Sequence, residues 1–415
     1  MSLTQSTSAK SWWRPRYTVL AIIWLVYGCF YLNRLNFAPV IPLIIEDLKI
    51  SHAQVGLIST FFFALYAAAQ FPAGYLSDIL GPRKIITLGG FISVFANLLF
   101  SAGASLFHLV GAQSLNGLGQ AGCWGPSVKL VNNWFPETER GRALGIYATC
   151  ACIFTVLAYA LAGYLGKTFG WRAAFWTVPI ILLSVLPVYW VVVDDYPDRN
   201  SLCSFRSRPP EQDERSSGNR NTFIFMLSHK DVRMASIGFS CLSYIRYGIL
   251  VWLPAYLYES YGLSVVTASL LAAVYPLGGV VASPVGGYLS DVAFGGRRKP
   301  LLLIALSFIL LSTISLASAD RLEWAMILIA GVGFFEQLIA PQFFALELDL
   351  LPPGLAGTGA GFLEAGGHLG SMCAMFFSGL LVDVFGSYNP VFLVFAILAA
   401  AGIAAVLFVR ESKPC

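Results

Sequence analysis

Two arginines stand where arginine is costly. Arg34 and Arg246 each lie inside a long apolar run, 212 positions apart, and each is followed eight residues on by a proline, Pro42 and Pro254. A guanidinium offers a planar fork of donors that grips a phosphate or a carboxylate with two bonds at once. Two such forks meeting across a cavity would repel one another when empty, and a captured anion would relieve that repulsion. The other reading is that each pairs with a local carboxylate and closes a gate. Tyr27, Tyr31 and Arg34 share one helical face by spacing. The two phenols read as the wall of an anion pocket, or else as interfacial aromatic packing. Gln70 follows Tyr66 by four residues in another apolar run and is a candidate hydrogen-bonder to the cavity. Tyr244 and Tyr247 flank Arg246, and only one of them can face the cavity; Tyr244 is taken as the candidate.

The second half of the chain adds buried acids. Glu336 lies in one apolar run, and Glu364 lies in the next with His368 four residues on, along the same helical face. A carboxyl in such surroundings can take up and release a proton. Glu336, Glu364 and His368 are therefore candidates for proton coupling, for pairing with Arg246, or for holding a cationic group; each could also be a packed, hydrogen-bonded helix contact. No Ser–His–Asp set, metal cluster or phosphate loop is present, so no catalytic residue, metal or cofactor is expected. Cys150 and Cys152 form a C-x-C without a second pair at metal spacing, and the eight cysteines read as small buried hydrophobes.

The elements carrying these residues follow from composition. Of 415 residues, 57% are apolar and 12% charged, against about a quarter charged in soluble domains. The mean hydropathy is +0.70. A membrane span needs about 20 mostly apolar residues. Spans are predicted near 17–43, 52–76, 84–106, 108–130, 141–166, 172–194, 233–258, 266–290, 300–318, 322–346, 355–384 and 388–409. With the N-terminus in the cytoplasm, twenty Lys and Arg fall on the cytoplasmic side, four fall outside (Lys49, Lys167, Arg172 and Arg321), and Arg34 and Arg246 lie within spans. That bias places both termini in the cytoplasm. The expected organisation is a cytoplasmic N-terminus (1–16), a six-helix bundle (17–194), a polar linker (195–232) read as mostly disordered, a second six-helix bundle (233–409) and a cytoplasmic tail (410–415). No cleavable signal is read at the N-terminus.

The halves repeat one another. Gly74-Tyr75-Leu76-Ser77-Asp78 recurs 213 positions later as Gly287-Tyr288-Leu289-Ser290-Asp291, and Phe169-Gly170 recurs as Phe385-Gly386. Halves related by an axis along the membrane normal suit alternating access, with a site at the midplane between them. The run Gly74–Lys84, with Asp78 and Arg83, and its second copy reaching Arg297, Arg298 and Lys299, resemble the paired cytoplasmic loops of the major facilitator superfamily. That resemblance implies an all-α membrane protein of twelve transmembrane helices in two pseudo-symmetric six-helix bundles. It also implies a gating role for Asp78, Arg83, Asp291 and Arg297, with Asp78 able to pair with a cation across the interface between the halves. Lys129, near the cytoplasmic end of the fourth span, reads as a gate or surface charge.

The segment Tyr27–Phe37, the run Arg246-Tyr247-Gly248-Ile249-Leu250 with Trp252, and the stretches Ala345–Leu348 and Gly357–Phe362 are similar to those of the organophosphate:phosphate antiporters. The resemblance spans essentially the whole chain. It implies that Arg34 and Arg246 grip a phosphoryl group, helped by Tyr27 and Tyr31, and that outward flow of inorganic phosphate drives uptake of the organic phosphate. Two departures lower the positive charge of the site. Gln70 stands where glycerol-phosphate members have a lysine, and Ala151 where they have a histidine. With Glu336 and Glu364 added, a monoanion, a phosphonate, a carboxylate or a zwitterion and a proton symport come into view beside a phosphate ester. Some relatives of this fold sense phosphorylated sugars instead of moving them. The expected partners are a small anionic substrate, phosphate or protons as the counter-substrate, and the lipid bilayer, with no nucleic acid. The chain is expected to be a monomer in the plasma (inner) membrane.

Overall fold

A computed structural model describes residues 13–197, 226–351 and 356–411. Among these residues the chain is helical and has no strand. The twelve crossings are α1 (Trp13–Leu35, continued by Ile41–Leu48), α2 (His52–Leu80), α3 (Pro82–Ser101), α4 (Leu106–Ala121, then Trp124–Trp134), α5 (Glu137–Phe169), α6 (Trp171–Val192), α7 (Lys230–Tyr261), α8 (Val265–Ala272, then Val274–Tyr288), α9 (Lys299–Leu316), α10 (Leu322–Leu350), α11 (Ala356–Phe385) and α12 (Asn389–Phe408). Eleven of them are long and apolar enough to cross a bilayer as single stretches. The remaining one, α4, is interrupted at Gly122–Cys123 and crosses in two pieces. The polar linker expected between the halves falls mostly outside the described residues.

Local sequence sets the breaks that matter for the site. α1 stops at Leu35; Pro39 lies in the short 3₁₀ turn Ala38–Val40, and Pro42 opens the continuing segment. Proline lacks an N–H to donate and is tolerated in the first turn of a helix. The interrupted backbone is held from the side: Asn36 donates to Asn97 Oδ1 at 3.0 Å and to the Ala174 carbonyl at 3.2 Å. α2 begins on a capping box, with Ser51 accepting from the Gln54 amide and Gln54 accepting from the Ser51 amide. α3 and α4 approach through Gly89 and Gly119, each of which lies against the other's backbone carbonyl, where a Cβ would collide.

The halves meet most tightly on the face that the charge bias assigns to the outside. The α2 residues His52 and Ala53 donate their backbone N–H groups to Asp383 of α11, at 2.9 and 2.7 Å. The His52 ring bridges Asp383 (2.8 Å) and Glu259 of α7 (3.0 Å). Within the C-terminal half Tyr388 donates to Glu259, and Tyr258 donates to Glu46 across the interface. Deeper, Thr60 donates to the Met372 carbonyl at 3.1 Å.

Candidate functional site

The site is built around Arg34, which is 8% exposed and lies one residue before the break in α1. Its Nε and Nη2 both donate to Oε1 of Gln120, at 3.2 and 3.1 Å. Gln120 is in turn fixed by donating to the Phe30 carbonyl (2.9 Å) and to Ser93 Oγ (3.2 Å). Asn33, Asn97, Asn116 and Gln113 extend this buried amide network behind it. The guanidinium lies over the rings of Tyr31 (4.9 Å) and Tyr66 (4.8 Å). Such contacts with aromatic faces contribute about 0.5–2 kcal/mol each. No carboxylate pairs with Arg34 among the described residues. Its fork is therefore anchored on a neutral amide, which leaves its charge uncompensated by any ion pair among the described residues.

Arg246 occupies the equivalent place in α7 but is treated differently. Its Nε lies 3.6 Å from Oε1 of Glu336, on α10. The Arg246 side chain is 29% exposed, while Glu336 is completely buried. Tyr275 of α8 donates to the other carboxylate oxygen at 3.4 Å, and Oε1 has no hydrogen-bond donor among the described residues. Charge pairing with Arg246 is thus the main thing holding this acid in the core. The aromatic partner of Arg246 is Tyr247, with the guanidinium 5.7 Å from its ring centroid and the ring edge-on to Phe63 of α2 at 4.8 Å. Tyr31 and Tyr247 are each close enough to both guanidiniums to feel their charge. The two arginines are therefore linked through one tyrosine from each half, Tyr31 and Tyr247.

Other expected residues fall in mixed places. Tyr244 is 7% exposed and packs edge-on against Phe395 of α12, away from Arg246, so Tyr247 takes the position expected of Tyr244. Tyr31 lies against Arg34 as expected, whereas Tyr27 is buried in a stack with Tyr147 and Trp124 and supports Tyr31 from behind. Gln70 accepts, through Oε1, from His368 Nε2 at 2.9 Å across the two halves, and His368 lies 3.7 Å from Glu364. Tyr66 stands edge-on to the same imidazole. Glu364 is close enough to Arg34 and Arg246 to feel both charges.

The gating residues depart from expectation in one respect. Asp78 pairs with Lys129 of α4 at 2.6 Å, within its own half, instead of with a cation across the interface. Arg83 likewise stays in its half, bonded to Asp194 at 2.6 Å and stacked over Trp190. Among the described residues, Asp78 and Arg83 therefore hold partners within their own half. Arg297 is exposed, and the Asp291 side chain lies outside the described residues.

Sequence reasoning missed Gln120, the role of Tyr66 and the His52–Glu259–Asp383 seal. The signal for the first was present: Gln113, Asn116 and Gln120 recur at helical spacing inside an apolar span. Polar groups at membrane depth face the protein interior and are functional candidates by default.

Two six-helix halves, each carrying an arginine at the equivalent place of its first helix, are the arrangement of a membrane transport protein. The chain belongs to the Major Facilitator Superfamily, whose profile matches residues 23–267 and 235–414. It is 27% identical to the probable sulfoacetate transporter SauU of Cupriavidus necator, over 96% of this chain and 94% of that protein. It is 26% identical to a probable hexose phosphate transport protein of Chlamydia trachomatis, over 96% of this chain and 90% of that one. Among solved structures, the D-xylose-proton symporter superimposes with a TM-score of 0.75 at 15% identity, covering 96% of this chain and 98% of its own. The protein is a multi-pass integral membrane protein with the major facilitator fold.

Proposed function

We propose that this protein is a secondary active transporter that carries a small organic anion across the bacterial inner membrane by alternating access, with Arg34 and Arg246 as the two jaws of the anion site. The observation that carries this reading is the state of Arg34. A guanidinium at membrane depth costs from about 3 to more than 10 kcal/mol, yet this one is anchored to a neutral amide with no carboxylate paired to it among the described residues, and Tyr247, the ring beside the second arginine, lies within its field. A structural arginine would be neutralised by a carboxylate. The similarity to carriers whose names specify a sulfonated carboxylate and a sugar phosphate supports an anionic cargo. The seal at His52 is the closed outer gate of an inward-facing state, and anion binding answers the uncompensated charge of Arg34 and bridges it to Arg246 so that the halves can rock.

Purified protein in liposomes, empty or preloaded with phosphate, with and without an inward proton gradient, tests this against a panel of organic phosphates, phosphonates, sulfonates and carboxylates. Accumulation of at least one organic anion is expected. Dependence on internal phosphate would define an antiporter. Dependence on the proton gradient alone would define a symporter and would place coupling on Glu336, Glu364 and His368. Binding without uptake of any panel member would overturn transport in favour of a sensor.

A further inference from the structure

We infer that Glu336 is a specificity-determining residue that tunes the site to singly charged anions against doubly charged ones. The inference rests on the reading of Arg34 and Arg246 as the anion site and deepens it. The argument is a count of charges at fixed positions. Arg34 is backed by an amide and brings one uncompensated positive charge. Arg246 brings a second, but Glu336 already answers it at 3.6 Å. Counting the groups in direct contact with a guanidinium, the site therefore offers one uncompensated positive charge, although it contains two guanidiniums; Glu364, whose own contact is His368, lies farther off and lowers the balance again.

A monoanion such as a sulfonate or a carboxylate matches that balance. It takes the free donors of Arg34 and reaches the exposed side of Arg246 while Glu336 keeps its pair. A dianion must draw the second charge of Arg246 to itself. That weakens the pairing of a carboxylate that is wholly buried, has one oxygen without any donor and is only weakly bonded by Tyr275 at the other. The Glu336 side chain is completely buried, so an acid stripped of its pairing is costly there, and the penalty falls on dianion binding. Glu364, within the field of both guanidiniums, adds a further repulsion toward a second negative charge. Glu336 touches no ligand in this scheme; it acts through Arg246 and is a positioning residue.

The test uses a matched pair, 2-hydroxyethanesulfonate and 2-hydroxyethylphosphonate. They share skeleton and tetrahedral head and differ by one charge at alkaline pH. Calorimetric titration of the purified protein in nanodiscs gives the ratio of their dissociation constants. The wild type is expected to prefer the sulfonate by about tenfold or more, and Glu336→Gln to shift the ratio toward the phosphonate by about tenfold, equivalent to about 1.4 kcal/mol. Glu336→Asp keeps the charge and should retain the preference, which separates charge from packing. No preference in the wild type, no sulfonate binding, or an unchanged ratio in Glu336→Gln would overturn the inference. Arg34→Lys in the same titration distinguishes the two levels. If it binds the sulfonate as the wild type does, the anion site itself has been misassigned. If it loses binding while Glu336→Gln leaves the ratio unmoved, only the role of Glu336 fails.

Discussion

Arg34 and Arg246 stand at equivalent places in the two halves, yet one is fixed by neutral amides and the other is answered by a carboxylate. In the N-terminal half, polar residues of α1, α3 and α4 build a hydrogen-bonded scaffold that orients the guanidinium without touching its charge. In the C-terminal half, the acid on α10 compensates the charge and leaves the guanidinium partly exposed. Repetition of a residue therefore does not repeat its electrostatics. The first arginine supplies charge, and the second supplies a donor whose charge is negotiable.

That contrast can be broken by experiment. The largest effect is expected from Arg34→Lys, because a lysine loses the fork, the amide anchor and the stacking on Tyr31 and Tyr66 together. Anion affinity should fall by roughly 2–5 kcal/mol, the range for truncating a buried charged partner, as read by titration in nanodiscs. Arg246→Lys should cost less, about tenfold, since an ammonium can still pair with Glu336; equal losses at the two positions would erase the distinction. Gln120→Leu removes the anchor and leaves the charge in place. It should weaken binding by about 1–3 kcal/mol, the cost of an unsatisfied buried group, and lower thermal stability in the same measurement series. The smallest effect belongs to the outer seal. His52→Ala removes polar contacts that are partly exposed and worth about 0.2–1 kcal/mol each. It should raise labelling of a Thr60→Cys variant by an impermeant maleimide several-fold while leaving anion affinity nearly unchanged; unaltered labelling would remove His52 from the gate.

Much of the architecture was legible in the chain. Twelve apolar runs, the charge bias and the repeat of Gly74–Asp78 are long-range statistical features that no single side-chain rotation can undo. Arg34 and Arg246 stood out for the same reason: a charge at membrane depth needs a purpose. What was not legible depends on the phase of one helix against another. Tyr244 and Tyr247 are three residues apart, and a modest rotation of α7 decides which ring meets Arg246. The Asp78–Lys129 pair links residues 51 positions apart, and nothing in either local sequence indicates the partner. The seal joins residue 52 to residues 259 and 383, so it exists only once the halves have docked. Gln120 is the instructive case, since its amide partners were spaced correctly along α4, but neutral polar groups attract less notice than charges.

The glycine contacts between α2 and α11 carry a mechanical consequence. Gly56 lies against the backbone at Met375–Phe376, and Gly379 lies against the backbone at His52–Ala53. Main chain pressed on main chain leaves no flexible side chain to absorb a sliding motion, so the joint tolerates rolling and resists shear. It sits near one end of α2, a helix of 29 residues. From Gly56 to the far end the arm is roughly 36 Å, so a tilt of about 10° at the joint swings the cytoplasmic tip by about 6 Å. The geometry is that of a lever with its fulcrum set close to one end of the helix pair, so a small roll there would be amplified at the far end.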